Sequence, residues 1–497
     1  MKRLAFAAAL WACASSPTLA QDVVDEPVLL DPSRDWAQTL RDDARAIHAT
    51  LVDSHPGVHD TLNPEFRPLL DQGLARALER ADTTRDIGGW WWGLREFIAT
   101  FNDGHVGIFL KSDYDFSPSW PGFLTRFTAE DQIVAARDGT DDALPPVGAK
   151  LLDCDGTDAA RLAQTNIAPF RGRWFLNAMR VRVGDVLFVD NQNPWIKRPE
   201  VCRFETGGQA RTYNLRWREG GTALRAAQDT LRPKQDTIGV EALADGGFWI
   251  STPTFDGNPE GPKYPLLRGV IETMNARQSD LRNAPYIVFD LRGNTGGSSN
   301  WSRQMAQALW GDEWISVHKP KPSEGVDWRV SEANYNAMAE FGEQLRATGA
   351  NPEVLRYIDI MTAGMKKAME ANQIFWREDL GQTEAPEAAV SDPELVVKAR
   401  VFALTDAQCA SACLDALDTW KAAGAIQIGR ETSADTVYMD VRVAELPSGL
   451  AQMAVPMKVY RGRSRGNNEP HMPTHVLPVE TLSESDLRAV VGRMATR

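Results

Sequence analysis

Between about residues 35 and 101, apolar side chains return every three or four positions. Trp36, Leu40, Ala44, Ile47 and Leu51 form one stripe. Phe66, Leu69, Leu70, Leu74 and Leu78 form a second, and Trp91, Leu94, Phe97, Ile98 and Phe101 a third. That spacing predicts three amphipathic helices. Asn63-Pro64 reads as the start of the second, with Asn as cap and Pro in the first turn. The third gives way at Asn102-Asp103-Gly104-His105. From 113 to 225 the pattern changes to short β-branched and aromatic runs between Gly, Pro and Asp turns, which predicts a β-rich region. Further on, the run 247–251 reads as a strand and 267–276 as a helix. The continuous apolar run 286–291 reads as a buried strand, entering a Gly-rich turn and a helix near 302–309. A strand at 396–404, a helix near 411–423 and a strand from 426 repeat this order. Strand, tight turn and helix in alternation predict an α/β core. Residues 313–395 are polar, charged and mostly helical in pattern. Met361, Met365 and Met369 share one face there, as expected for packing within the insert. A Ser483…Asp486 pair opens a last helix.

These shifts divide the chain into a leader at 1–20, an N-terminal helical region at 21–112, a β-rich domain at 113–225, a first core part at 226–312, a helical insert at 313–395 and a second core part at 396–497. Within the β-rich domain, the stretch from Pro145-Pro146-Val147-Gly148 to Asp155-Gly156 resembles the strand and turn of a PDZ domain, a module that binds extended peptides by strand addition.

The leader has Lys2 and Arg3, an apolar run to Ala12 and a small-residue ending at Ala20. That is the layout of a secretory signal, cleaved after Ala20. Leu10-Trp11-Ala12-Cys13 also reads as a lipid-attachment box, though Trp11 is bulky for one. The apolar run is too short for a stop-transfer helix, and no later stretch reads as a membrane span. The expected location is therefore outside the cytoplasm, periplasmic or secreted. The formal charge of −13 disfavours nucleic acid as a partner. After cleavage four cysteines remain, Cys154, Cys202, Cys409 and Cys413. They admit three pairings, and sequence alone does not choose among them; Cys154 with Cys202 and Cys409 with Cys413 is one.

Three segments carry candidate chemistry. His105 stands where a helix yields to a Gly-containing turn, and imidazole is the usual general base. Asp290-Leu291-Arg292-Gly293-Asn294-Thr295-Gly296-Gly297 follows a buried strand, so its N–H groups could meet a phosphate or an oxyanion. No Lys-Ser or Lys-Thr follows, which disfavours a P-loop. Cys409-Ala410-Ser411-Ala412-Cys413 sets a serine among small residues at a helix start, where developing negative charge is favoured. As a bare helix cap, Ser411 would mean nothing more.

In order along the chain, these segments resemble the C-terminal processing (tail-specific) and tricorn family of serine peptidases. An Asp-Leu-Arg-x-Asn-x-Gly-Gly turn, a small-Ser-small segment, Gly429-Arg430-Glu431-Thr432 and Glu469-Pro470 match the family's pattern. Asp103-Gly104-His105 matches the branch with a His base. The resemblance implies a crotonase-like catalytic core and hydrolysis of peptide or protein substrates without a cofactor. It implies Ser411 as nucleophile and His105 as base. Ala412 and either Gly296 or Gly297 would be oxyanion donors. Glu469 would orient the base, with Asp103 competing for that role. Departures are Gly104, where the tricorn branch has Ser, and Ser433-Ala434-Asp435-Thr436, where the processing branch has its Lys base. Lys458 is the one lysine left as a rival base, and Lys458→Ala is expected to be mild. An esterase, or a silent binding protein on the same fold, remains the alternative. A metal set of Cys409, Cys413, His471 and His475 is disfavoured by Pro473, so no metal is expected. Oligomeric state is not legible.

Overall fold

A computed structural model describes residues 31, 33–111, 114, 116–128, 131–139, 141–231, 237–318, 324–347, 352–378 and 393–495. The expected leader at 1–20, with Cys13, lies outside them. The described residues form two compact units. One draws on 22–232 and 443–455, the other on 233–442 and 456–497.

The first unit begins with the three expected helices, Trp36–Ser54, Phe66–Ala81 and Ile87–Ala99, each packed on the other two. Asp35 and Asp86 cap the first and third by accepting N–H groups of Gln38 and Gly89, replacing bonds a helix start lacks. Leu40, Ala44, Ile47 and Leu51 are wholly buried, as the pattern predicts. Two details differ. The second helix starts at Phe66, past Asn63-Pro64, whose Asn carbonyl accepts the Phe66 N–H in a preceding turn. In the third helix Trp90, more than Trp91, enters the core; its indole N–H donates to buried Asp43 at 2.8 Å. Beyond His105 the strand Gly107–Leu110 pairs antiparallel with 451–454.

The same unit then builds an antiparallel sheet in the order Phe123–Thr128, Asp131–Arg137, Lys150–Cys154, Val201–Thr206, Gln209–Asn214. Phe123, Val134, Leu151, Phe188 and Phe204 fill its buried side. Cys154 faces Cys202 across neighbouring strands, and the two form a disulfide with Cα atoms 4.0 Å apart. The region is less purely β than its pattern implies. Helices Ala159–Asn166, Ala168–Arg171 and Asn177–Val183 lie between the third and fourth strands. Their short runs of Leu162-Ala163, Phe170 and Ala178-Met179 are buried faces of single helical turns.

The second unit is mixed α/β. Its main sheet runs Gly239–Ala242, Phe248–Ser251, Tyr286–Asp290, Arg400–Thr405, Ile426–Gly429, His475–Val476. The first pair is antiparallel and the rest are parallel. Both faces are covered, so the central strands are continuously apolar. Phe248, Ile250, Ile287, Phe289, Val401 and Ala403 face helices Tyr264–Ala276, Ser299–Trp310 and Ala412–Ala422. Trp249, Val288, Phe402, Leu404 and Ile428 face the last helix, Glu484–Ala495, through Leu487 and Val491. The insert is not wholly helical. Besides helices Glu332–Ala347 and Pro352–Glu370 it holds strands Gly325–Arg329 and Phe375–Glu378, paired with each other and, through the former, with 458–461. Val326, Asp327 and Trp328 are all buried there, Asp327 in ion pairs with Arg377 and Arg461, so the strand shows no apolar alternation to read. Met361 and Met365 pack against Trp328, Met338 and Ile358; the methionine face is core.

Candidate active site

Parallel pairing decides where the chemistry-bearing turns meet. Tyr286–Asp290 and Arg400–Thr405 lie side by side with Asp290 opposite Leu404. Both strands therefore release their turns at the same carboxyl edge of the sheet, where open α/β sheets bind ligands. The two turns are stitched together. Leu291 N–H donates to Leu404 O at 2.9 Å, and Ala410 N–H to Asn294 O at 3.3 Å. Asp406 accepts Gly293 N–H and Gln408 N–H, each at 2.9 Å. Asn294, wholly buried, donates to Thr252 O and accepts Gly296 N–H, both at 2.8 Å.

Ser411 ends the second turn at φ 53°, ψ −123° and precedes the helix Ala412–Ala422. Left-handed backbone at a non-glycine residue is strained and persists only where the surroundings fix it. The Ser411 hydroxyl makes no capping bond to that helix, so the bland reading of a helix cap fails. Gly296, at φ 103°, stands directly against this residue. A Cβ there would lie 2.7 Å from Ala410 O, 2.8 Å from Ser411 Cβ and 3.1 Å from Ala412 N. Gly296 N–H is taken by Asn294, which removes it as an oxyanion donor. The N–H groups of Gly297 and Ala412 make no hydrogen bond among the described residues. Gly296→Ala is accordingly expected to lower turnover by about 10²-fold or more, since a shift of about 1 Å in reacting groups has that effect; steady-state rates against a peptide substrate check it.

Cys409 and Cys413 are joined in a disulfide, Cα atoms 5.4 Å apart, both fully buried. The bridge spans Ser411 and leaves neither cysteine a thiolate to hold a metal. Behind the helix, Arg465 is buried among three carboxylates. It donates to Asp415 at 3.0 Å, to Asp418 at 3.2 Å and to Asp435. Arg463 reaches Asp435 at 3.0 Å, and His471 Nε2 lies 3.0 Å from Asp418. Asp415 also accepts the Ser299 hydroxyl at 2.7 Å. Burial pushes the Asp415 carboxyl up. Burial also acts upward on Asp418, but the His471 hydrogen bond and the Arg465 charge outweigh it and hold the group low. Asp435, at the place where the sequence lacks a lysine, is thus held by two guanidinium groups. Sequence reading missed Arg465, Asp406 and Asn294 as organisers of this turn pair. Asn294 stood inside the quoted Gly-rich turn and Asp406 three residues before Cys409; Arg465 had no periodic or motif signal.

Burial pushes Asp406 up to about 6, against the two N–H donors that lower it. A carboxyl whose folded value is raised costs stability when ionised. Its contribution is most favourable at low pH, falls as pH rises between about 4 and 6, and is constant above. Asp406→Asn should remove that slope, which denaturant melts across this window measure.

In the other unit, His105 lies just past the helix Ile87–Ala99. Its backbone N–H donates to Asp103 Oδ1 at 2.7 Å, and its ring Nδ1 is 3.7 Å from the same oxygen. Nδ1 is buried without a hydrogen-bond partner, and the Asp103 side chain is almost fully buried. Asn102, at φ 49°, accepts the Arg173 N–H at 2.6 Å. The Arg173 guanidinium fills the space over Gly104, 2.9 Å from where a Cβ would be. A serine there, as in the tricorn branch, has no room unless Arg173 moves.

Glu469 shares the unit of Ser411. It is exposed and accepts Gly466 N–H at 2.7 Å. Lys458 is in that unit too, 3 % exposed, 2.8 Å from Asp440 and facing the rings of Trp328 and Tyr460 at 4.9 and 5.1 Å. Burial acts to lower its pKa, but the charge of Asp440 leads a set of effects that holds it well above the ordinary lysine value. The structure thus brings Ser411, Ala412, Gly296 and Gly297 together in one unit and Asp103 and His105 in the other.

Residues 253–471 match the model of peptidase family S41. No curated protein matches the chain. Among solved structures, mature CPAF aligns with a TM-score of 0.57 at 15 % identity, over 89 % of this chain and 93 % of that one. CPAF complexed with lactacystin aligns at 0.58 and 15 %, over 93 % and 99 %. At such identity the likeness is one of fold.

Proposed function

We propose, for a chain that belongs to peptidase family S41 and is a serine-type peptidase, that Ser411 is the nucleophile of an exported enzyme acting on peptides or proteins. One observation carries this reading. Ser411 is held at φ 53° with no capping bond from its hydroxyl, next to Ala412 and directly against Gly296, and the N–H groups of Ala412 and of Gly297 have no partner among the described residues.

The chemistry follows from those groups. Ser411 Oγ attacks the scissile carbonyl carbon as its proton passes to the base, His105. The carbonyl π electrons move onto oxygen, where Ala412 and Gly297 N–H groups stabilise them. His105 returns the proton to the leaving nitrogen, the C–N bond breaks, and an acyl-Ser411 ester remains. Water, deprotonated by the same imidazole, attacks the ester; the C–Oγ bond breaks, the imidazolium returns its proton to Ser411 Oγ, and the acid is released. Asp103 is the better-supported orienter of His105, because its nearly buried carboxylate lies 3.7 Å from Nδ1 within the same unit, while Glu469 is exposed. Asp103→Asn is therefore expected to lower kcat by about 10²-fold or more and Glu469→Gln by less; the reverse order of measured rates gives the role to Glu469.

The parallel sheet is read as a crotonase-like core and the segment at 145–156 as part of a PDZ-like peptide site. Both disulfides support export, because cytosolic thiols are kept reduced. A fluorophosphonate probe tests the central assignment. It should label the wild type and leave Ser411→Ala unlabelled; equal labelling of both sinks it.

A further inference from the structure

A separate group of unsatisfied polar atoms lies in the unit of 22–232. The helix Ile87–Ala99 packs on the short helix Ala168–Arg171. This brings the guanidinium groups of Arg95 and Arg171 close enough to repel. Arg95 faces the Trp91 ring at 6.0 Å and Arg171 the Trp92 ring at 5.3 Å. Neither guanidinium makes a hydrogen bond or ion pair with any described residue. Asp185, whose charge reaches Arg171, accepts the backbone N–H groups of Asp185 and Val186 instead. Burial lowers both arginines, Arg95 to about 10, so the pair is held at a cost.

Arg171 lines a cavity of about 40 Å³ together with Trp92, Ile167, Phe170, Asn193 and Ile196. Asn193 is 6 % exposed. Its Oδ1 accepts Trp195 N–H at 3.1 Å, while its Nδ2 is buried with no partner. A buried donor without an acceptor carries a free-energy penalty, and Arg171, half-buried, gives its guanidinium to no described residue. Here both face one small space, and the Trp92 indole N–H that might have satisfied a ligand is already given to Asn191 O at 2.8 Å.

We infer that this cavity binds a small monocarboxylate, its oxygens on the Arg171 guanidinium and Asn193 Nδ2 and its short apolar body against Trp92, Ile167 and Phe170. The planar guanidinium fork matches a carboxylate edge. The volume suits a few atoms rather than a side chain of a large ligand. Asp190 and Arg198, also in the wall, pair with each other, which leaves Arg171 and Asn193 to meet the anion, a donor set that suits a carboxylate edge better than the tetrahedron of a phosphate.

Isothermal titration of the full chain with propionate, propionamide and inorganic phosphate tests this. Propionate should bind saturably, with propionamide and phosphate weaker by about tenfold or more. Arg171→Gln should lose propionate binding by a similar factor yet melt no lower than the wild type, because no hydrogen bond or close ion pair to a described residue goes with it. Asn193→Ala, which keeps Arg171, should weaken propionate alone by severalfold. Equal binding of propionate and propionamide overturns the inference. So do tighter binding of phosphate, and propionate binding that survives Arg171→Gln.

Discussion

Ser411→Ala is expected to cut peptide hydrolysis by about 10⁴-fold or more with a melting temperature within a few degrees of the wild type. The size of the loss follows from chemistry. Alanine has no oxygen to form the acyl ester, and the residual rate is what the N–H donors of Ala412 and Gly297 provide to attack by water. The unchanged stability follows from geometry. The Ser411 hydroxyl caps no helix, the residue is only partly buried, and alanine meets the same strain at φ 53° as serine does. Steady-state kinetics and a thermal melt on one preparation check both halves. A variant as active as the wild type removes Ser411 from the mechanism. A variant that unfolds shows that the hydroxyl was structural.

His105→Ala should fall as far as Ser411→Ala, within about tenfold, because residues acting as one unit give losses of like size. Lys458→Met should leave turnover per folded molecule within about threefold. The lysine was the one rival base the sequence left standing, and its environment argues against that role. A general base must be neutral to take a proton. Lys458 is held well above its ordinary value beside Asp440, so it stays an ammonium through the neutral range. The linkage has a definite sign: a raised lysine contributes stability fully below its unfolded value and loses it only as pH climbs through the folded one. The expectation of a mild phenotype is corrected in one respect. Removing Lys458 leaves the Asp440 carboxylate without its partner in a largely buried setting, which costs about 3–5 kcal/mol in comparable pairs. Rates must therefore be normalised to the folded fraction from a denaturant melt. A dead, folded Lys458→Met beside an active His105→Ala would move the enzyme to the Ser–Lys branch.

Much of this was legible because periodicity and small-residue motifs report local constraints. The three N-terminal helices and the two central strands carry their burial in their spacing. The glycines at 296 and 297 announced a close approach; Gly296 meets Ser411 and Gly297 meets Phe255. Other features depend on contacts between distant segments. Gly296 was expected as a possible donor, but its N–H is given to Asn294, a choice set by how the turn closes. Trp328 and Val326 form a strand between two distant segments, 375–378 and 458–461. Arg465 gathers Asp415, Asp418 and Asp435 from places that no sequence pattern links.

The parallel pairing of Asp290 with Leu404 has an architectural consequence. Gly293 and Asp406 touch although 113 positions separate them, so everything between is a detour that leaves and rejoins the sheet at fixed points. The entropy of closing such a detour grows only with the logarithm of its length, about 0.6 kcal/mol for each doubling. Lengthening, shortening or exchanging the stretch around 330–375 should therefore perturb the reacting turns far less than a single methyl group at position 296. Evolution can redraw what surrounds Ser411 at little thermodynamic expense, while the few ångströms between the two turns stay closed to change.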